Sequence, residues 1–155
     1  MGFKRILLVK PEGRTGIGFA LALIPLGLES VAASIVDIVD ELNILDMLTE
    51  KRHSFPYFLD LFHPDLVGIS MSATEHESGL SIASIAKKRG IATVLGGYHP
   101  TAIPDDLLSH KQVDMVIRGE GELTMRELVQ TGSPEGVLGI SYKENNTVIH
   151  NPIVH

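Results

Sequence analysis

Apolar residues fall into two alternating patterns along this chain, and the alternation itself predicts an architecture. Short, nearly continuous apolar runs are separated by stretches whose apolar residues recur at helical spacing. The runs are residues 3–10, 43–46, 65–70, 91–95 and 113–117, and each reads as a strand buried in a parallel sheet. Between them, Pro25 sits at the first turn of a helix running to about Val39, and Ser54 with Pro56 begins one that ends near Phe62. In that second helix Phe55, Tyr57, Phe58 and Phe62 form a stripe expected in the core. Thr74-Glu75-His76-Glu77 fits a capping box ahead of a helix with Leu80, Ile82, Ala83, Ile85 and Ala86 on its apolar face. Lys87-Lys88-Arg89-Gly90 ends it, with cations at the negative pole and a glycine suited to a left-handed cap. Pro104-Asp105-Asp106 starts a short helix, and a last one covers 122–131. Gly139-Ile140-Ser141-Tyr142, the turn Asn145-Asn146, and Thr147-Val148-Ile149 read as a hairpin.

Strands that alternate with helices require right-handed crossovers and a parallel sheet covered on both faces. The expected fold class is therefore α/β, with five parallel strands and a C-terminal β-hairpin. At 155 residues and 16.8 kDa the chain is large enough to bury one core. A single domain is expected over 1–150, with 151–155 a tail or the start of a linker.

Composition narrows the function. Thirteen basic and nineteen acidic residues give a formal charge of −6, and no basic cluster supports nucleic-acid binding. The absence of cysteine removes disulfides, thiolate metal sites and iron–sulfur ligation, and fits a cytoplasmic setting. The longest apolar stretch, 17–28, is broken by glycines and Pro25 and is too short to span a bilayer, so no membrane partner is expected. The N-terminal charges before residues 6–9 resemble a signal peptide only superficially, since no small-residue cleavage site follows.

The chemistry is concentrated where strands end. Val94-Leu95-Gly96-Gly97-Tyr98-His99-Pro100-Thr101 and the run from Val113 to Glu122 both pass from a strand into a glycine-bearing loop. In an open α/β sheet the carboxyl ends of the strands are where ligands sit. The loop Gly13-Arg14-Thr15-Gly16-Ile17-Gly18 places its glycines too late for a dinucleotide fingerprint, although Asp46 would stand as the ribose-reading acid. No Walker signature occurs, and Thr15-Gly16 supplies only one hydroxyl of a flavodoxin-type FMN loop. Ser70-Met71-Ser72 holds the place of a receiver domain's phospho-acceptor aspartate. A small FMN- or NAD-binding protein is one alternative that these loops leave open. Arg118 is read either as an ion-pair partner of Glu120 or Asp114 or as a grip on a ligand amide or phosphate. His76 reads as helix surface, and His53, His63, His110, His150 and His155 show no metal-ligand spacing.

Four stretches taken in order carry a resemblance: 24–33, 64–70, Gly96-Gly97-Tyr98-His99-Pro100-Thr101, and Arg118-Gly119-Glu120-Gly121-Glu122. Together they resemble the N-terminal cobalamin (B12)-binding domain of B12-dependent radical SAM proteins, over nearly the whole chain. The resemblance implies a three-layer flavodoxin-like or Rossmann-like domain with strand order 2-1-3-4-5. It implies cobalamin as cofactor, its ring over the strand ends and its nucleotide tail alongside the sheet. Carried over by position, Ser70, Ser72 and Thr74 belong to the loop after the third strand. Gly96 and Gly97, followed by Tyr98 and His99, are the paired glycines the tail passes. Gly119, Glu120 and Gly121 close the site beside the ring, and His99 is a cobalt candidate. Ser70, Gly96, Gly97, His99 and Gly119 are expected to ring one cleft.

Two departures from related patterns shape the functional expectation. Cobalamin domains of the methionine synthase type carry a histidine lower ligand after strand one, where this chain has Lys10-Pro11-Glu12-Gly13-Arg14-Thr15-Gly16. The cluster motif of the radical SAM half needs three cysteines, and this chain has none. A [4Fe-4S] cluster and S-adenosylmethionine are thus expected only in a radical SAM partner domain, in cis or in trans. The expected whole is a methyl-transferring or rearranging enzyme to which this part brings cofactor binding and no catalytic machinery. The competing reading is a non-catalytic corrinoid carrier or regulatory module.

Overall fold

The computed structural model describes residues 2–13, 26–50 and 54–153. The expectations placed on the loop around Thr15-Gly16 and on Pro25 lie outside the described residues. In chain order the elements are β1 (Arg5–Lys10), α1 (Leu26–Ile35), β2 (Glu41–Asp46), α2 (Ser54–Phe62), β3 (Leu66–Ser70) and α3 (His76–Lys88). They continue with β4 (Ala92–Gly96), α4 (Tyr98–Ala102), α5 (Pro104–Leu108), β5 (Met115–Ile117), α6 (Glu122–Thr131), β6 (Ile140–Glu144) and β7 (Thr147–His150). A 3₁₀ turn, Ala73–Glu75, leads into α3.

The strands form one sheet in the order β2-β1-β3-β4-β5-β6-β7. β1 to β5 are parallel, as the alternating pattern requires. The hairpin does not stand apart: β6 pairs antiparallel with β5 through Met115↔Tyr142, Val116↔Ser141 and Ile117↔Ile140. The five parallel strands and the expected hairpin thus make one seven-stranded sheet. An unpaired β5 edge would expose a row of backbone groups, and the hairpin covers it.

Side chains alternate across the sheet into two cores. Leu7, Val9, Val67, Ile69, Leu95 and Val116 pack under residues of α2, α3 and α5. Ile6, Leu8, Leu66, Val94 and Met115 pack under α1 and α6 through Leu28, Ile35, Met125 and Leu128. In α2 the buried stripe is Phe55 and Leu59 with Phe58 and Phe62 partly covered; Tyr57 lies off that helical face and is exposed.

Three local expectations are corrected. Helix α1 stops at Ile35 rather than near Val39, because the chain turns there to lay Ile38 and Val39 on the core and to let the Asp40 N–H bond the Lys4 carbonyl at 2.8 Å. The capping box lies two residues earlier than Thr74-Glu75-His76-Glu77: Ser72 is the cap and Glu75 its partner. Residues Tyr98–Ala102 form a helical turn where the sequence suggested loop, with Pro100 in a first turn that has no need of its N–H.

Candidate functional site

Sheet register places small and apolar residues in a row on the α1/α6 side. Leu8, Gly68, Val94 and Met115 are neighbours across four parallel strands. Gly68 has no side chain in the middle of that row, and Leu8 Cδ2 would stand 2.8 Å from a Cβ there. Above the row opens a cavity of about 570 Å³ at the carboxyl ends of the strands, the position open α/β sheets use for ligands. Leu8, Gly68, Val94 and Met125 make its floor, Leu28 and Val31 of α1 one wall, and Gly121 and Glu122, where α6 begins, the other. An apolar floor with a few polar groups at the mouth is the general form of a cofactor site.

The two walls are tied together. Ser30 Oγ donates to Glu122 Oε1 at 2.8 Å, and Ser34 Oγ to the Glu122 carbonyl at 3.1 Å. Arg126 spans back from α6 with Nη1 on the Ser34 carbonyl at 2.6 Å and both Nη atoms on the Asp37 carboxylate. The guanidinium holds the Asp37 carboxyl below its ordinary value. Glu122 thus bridges the two helices through its carboxylate and its carbonyl.

Of the sequence-predicted residues, Ser70, Ser72, Gly96, Gly97, Tyr98, Gly119, Glu120 and Gly121 all line this cavity. Tyr98 is 97% exposed at its mouth. The two glycines that end β4 differ in kind. Among the described residues a Cβ on Gly96 would meet nothing closer than Ile117 Cβ at 3.9 Å, so they do not demand glycine there. Gly97 has φ +114°, and a Cβ on it would approach the Met71 carbonyl oxygen to 2.9 Å. Gly97 is a requirement of the backbone, whereas Gly96 leaves open space in the cavity.

Two predicted residues fall elsewhere. Thr74 is exposed on the 3₁₀ turn, its Oγ1 3.0 Å from Ser72 Oγ. His99 was expected in the cleft with Ser70, Gly96, Gly97 and Gly119, and that expectation is corrected: its Nε2 lies 2.8 Å from His76 Nδ1, and it is not among the cavity-lining residues. Burial foremost, and then His76, hold the His99 pKa below its ordinary value, with Asp106 opposing them. Arg118 grips neither Glu120 nor Asp114. Its Nη2 donates to the carbonyls of Ile140 and Asn151 and so fastens the hairpin and the residues after it. Asp114 pairs instead with Lys87.

Two site residues were not singled out from the sequence. Lys10, at the end of β1, lines the cavity and forms an ion pair with Glu75, its Nζ 2.7 Å from Oε2. Glu75 is only 6% exposed and also accepts from Ser72 Oγ at 3.1 Å. Thr101 lines the cavity as well; its Oγ1 donates to the Gly97 carbonyl at 2.7 Å and accepts from the Gly119 N–H at 3.0 Å. One hydroxyl therefore links the loops that follow β4 and β5.

Away from the cavity, Asp105, His150 and Ser141 form a chain of side-chain hydrogen bonds, with His150 Nε2 3.0 Å from Asp105 Oδ1 and Nδ1 2.6 Å from Ser141 Oγ. The connectivity is that of a hydrolytic triad, but Ser141 is wholly buried and has no access to a substrate. The chain fixes the hairpin to α5. Among the described residues no helix is long and apolar enough to cross a membrane.

Comparison with known proteins agrees with this geometry. The family model for the B12 binding domain matches residues 16–129. The chain is 35% identical over 98% of its length to an uncharacterized methyltransferase of Pyrococcus horikoshii, and 33% identical over 75% of its length to the hopanoid C-3 methylase of Methylococcus capsulatus. It spans only 35% and 24% of those relatives. Among solved structures it resembles the cobalamin-dependent S-adenosylmethionine radical enzyme OxsB, determined with aqua-cobalamin and S-adenosylmethionine bound, at a TM-score of 0.81 and 18% identity, over 97% of this chain and 22% of that one. The chain belongs to the B12 binding domain family.

Proposed function

We propose that this chain is the cobalamin-binding part of a longer B12-dependent radical SAM enzyme of the methyl-transferring or rearranging kind, and that it holds cobalamin without a histidine lower ligand. The observation that carries the reading is the cavity beside Gly96, a cradle among the described residues that a Cβ would begin to fill. The residues fit the group. An apolar floor of Leu8, Val94 and Met125 suits the flat, largely hydrocarbon part of the cofactor, and the hydroxyls of Ser70, Ser72 and Thr101 suit its amides and its nucleotide tail.

In this reading Gly96 and Gly121 admit the tail between sheet and helices, while Ser70 and Ser72 supply hydrogen bonds to it. Gly119 and Glu120 flank the ring, and Tyr98 meets it or the neighbouring domain at the mouth. Among the described residues no histidine lines the cavity, none occurs in sequence between Lys10 and Pro25, and His99 is engaged with His76. Cobalamin supplies the cobalt chemistry when bound; this chain binds, orients and shields it from water. The iron–sulfur cluster and S-adenosylmethionine belong to a radical SAM domain outside this chain, since no cysteine is present here to ligate a cluster.

The test is a titration with hydroxocobalamin followed by desalting and a visible spectrum, on this chain and on the longer protein that contains it. Retained corrinoid whose spectrum lacks a nitrogen lower ligand is the expected result. Absence of retention by both proteins overturns the proposal. Retention with a nitrogen-ligated spectrum overturns the part concerning the lower ligand.

A further inference from the structure

Three of the seven histidines, far apart in sequence, meet on the other side of the sheet from the cavity. His76 opens α3, His99 lies in α4, and His110 follows α5. The His76 and His99 rings stand edge to face with centroids 5.0 Å apart, and the His110 ring lies 6.3 Å from His76. Asp106, on α5, joins them. One donor atom each from His76, Asp106 and His110 lies within 4.8 Å of the other two. Nothing else in the described structure explains this gathering. Neither the Asp106 carboxylate nor the His110 ring makes a hydrogen bond among the described residues, and both imidazoles are half-buried.

We propose that His76, Asp106 and His110 form a binding site for one divalent transition-metal ion of the zinc class, with His99 as the positioning residue behind His76. Two imidazoles and a carboxylate are a borderline donor set that suits zinc and its neighbours and not the hard, oxygen-seeking magnesium or calcium. Metal–ligand bonds of about 2.0–2.2 Å hold tetrahedral donors roughly 3.4 Å apart. The three groups therefore need to close by at most about 1.4 Å, and exposed Asp106 has the freedom to do so. His76 Nδ1 is already bonded to His99, which leaves Nε2 for the ion. In that arrangement Nδ1–H donates to His99 Nε2, fixing the tautomer and aim of the ring, as partners of metal-bound histidines generally do. An ion here would join α3 to α5 and hold α4, whose Thr101 ties the two loops of the cavity.

The chain has no cysteine, so zinc uptake by the tag-free protein is read without a thiolate background. Zn²⁺ is titrated against a chromophoric chelator, and X-ray absorption counts the imidazoles. The expected result is one tightly held Zn²⁺ per chain with two imidazole ligands. Affinity should fall at least about tenfold in His76→Ala, His110→Ala and Asp106→Asn, each checked for an unchanged far-ultraviolet spectrum. His99→Leu should weaken binding by roughly tenfold, and His99→Gln, whose amide oxygen still accepts from His76, should restore most of it. His63→Ala is the unaffected control. Wild-type binding no tighter than that of the His76→Ala/His110→Ala double variant overturns the proposal, as does zinc retained by that folded double variant with full stoichiometry. Loss of uptake in His99→Leu without recovery in His99→Gln overturns the positioning role.

Discussion

Lys10 and Glu75, 65 residues apart, form an ion pair at the rim of the cavity, with Nζ 2.7 Å from Oε2 and the glutamate almost wholly buried. The pair joins the end of β1 to the turn that follows β3. Two charges taken out of water this way make each other tolerable, and removing one strands its partner. Lys10→Met should therefore destabilise the chain by about 2 kcal/mol, less than the 3–5 kcal/mol of a fully dry pair because the Lys10 side chain keeps 22% of its exposure. The double variant Lys10→Met/Glu75→Gln should recover much of that loss. Urea unfolding of the single and double variants measures the coupling, and strictly additive losses would show that the pair does not act as a unit.

The glycines that end β4 give opposite expectations. Gly97→Ala forces a side chain onto φ +114° and against the Met71 carbonyl, and should lower stability by about 1–3 kcal/mol. Gly96→Ala meets only Ile117 Cβ among the described residues, at an unstrained 3.9 Å, and should stay within about 0.5 kcal/mol of wild type. The added methyl enters the cavity, however, and corrinoid retention should fall by roughly tenfold, the equivalent of a modest overpacking. Thermal melts with and without cobalamin separate the two variants. A folded Gly96→Ala chain with undiminished retention would remove Gly96 from the binding surface.

These contrasts mark what the sequence could carry. Alternating runs and helical stretches predicted every parallel strand and the last helix over 122–131. The glycine-bearing ends of β4 and β5 pointed to a single cavity because parallel strands bring all their carboxyl ends to one edge. Gly96 and Gly97 could not be told apart, since the letter for glycine does not say whether φ is positive or a partner is absent. Lys10 and Glu75 were invisible for another reason: their meeting depends on β1 and β3 being neighbours in register, which no local pattern encodes. His76, His99 and His110 likewise lack any metal spacing in sequence and come together only when α3, α4 and α5 pack on one side. Helix α4 was missed because a proline within five residues reads as loop, while in a first turn it costs nothing.

The clamp between α1 and α6 carries a pH signature. Arg126 lowers the Asp37 pKa from its ordinary 3.8, so the folded chain binds that proton more weakly than the unfolded chain. The contribution is fully present above the ordinary value and is lost as pH falls through the depressed one. Asp37→Asn should thus be less stable than wild type near neutral pH, by a margin that stays constant down to about pH 5 and closes below 3.8. Urea midpoints of both proteins across that range provide the check. A margin that widens on acidification would contradict the assignment of the shift to Arg126.

Thr101 is the hinge on which the two loops of the cavity agree. Its hydroxyl bonds the Gly97 carbonyl and receives the Gly119 N–H, so the loops after β4 and β5 keep a fixed separation through one atom. Thr101→Val preserves shape and removes both bonds; the Gly97 carbonyl keeps the residue-101 N–H at 3.1 Å, and the Gly119 amide is left to find water at the cavity edge. The expected loss of stability is about 1–2 kcal/mol. The more telling consequence concerns the ligand. Loops that drift apart no longer present Gly96 and Gly119 together, and corrinoid retention should drop further than stability alone explains. Thr101→Ser keeps the oxygen and should behave as wild type in both respects. If Thr101→Val loses stability yet retains corrinoid fully, the two loops are positioned by the sheet alone, and the hydroxyl serves only the fold.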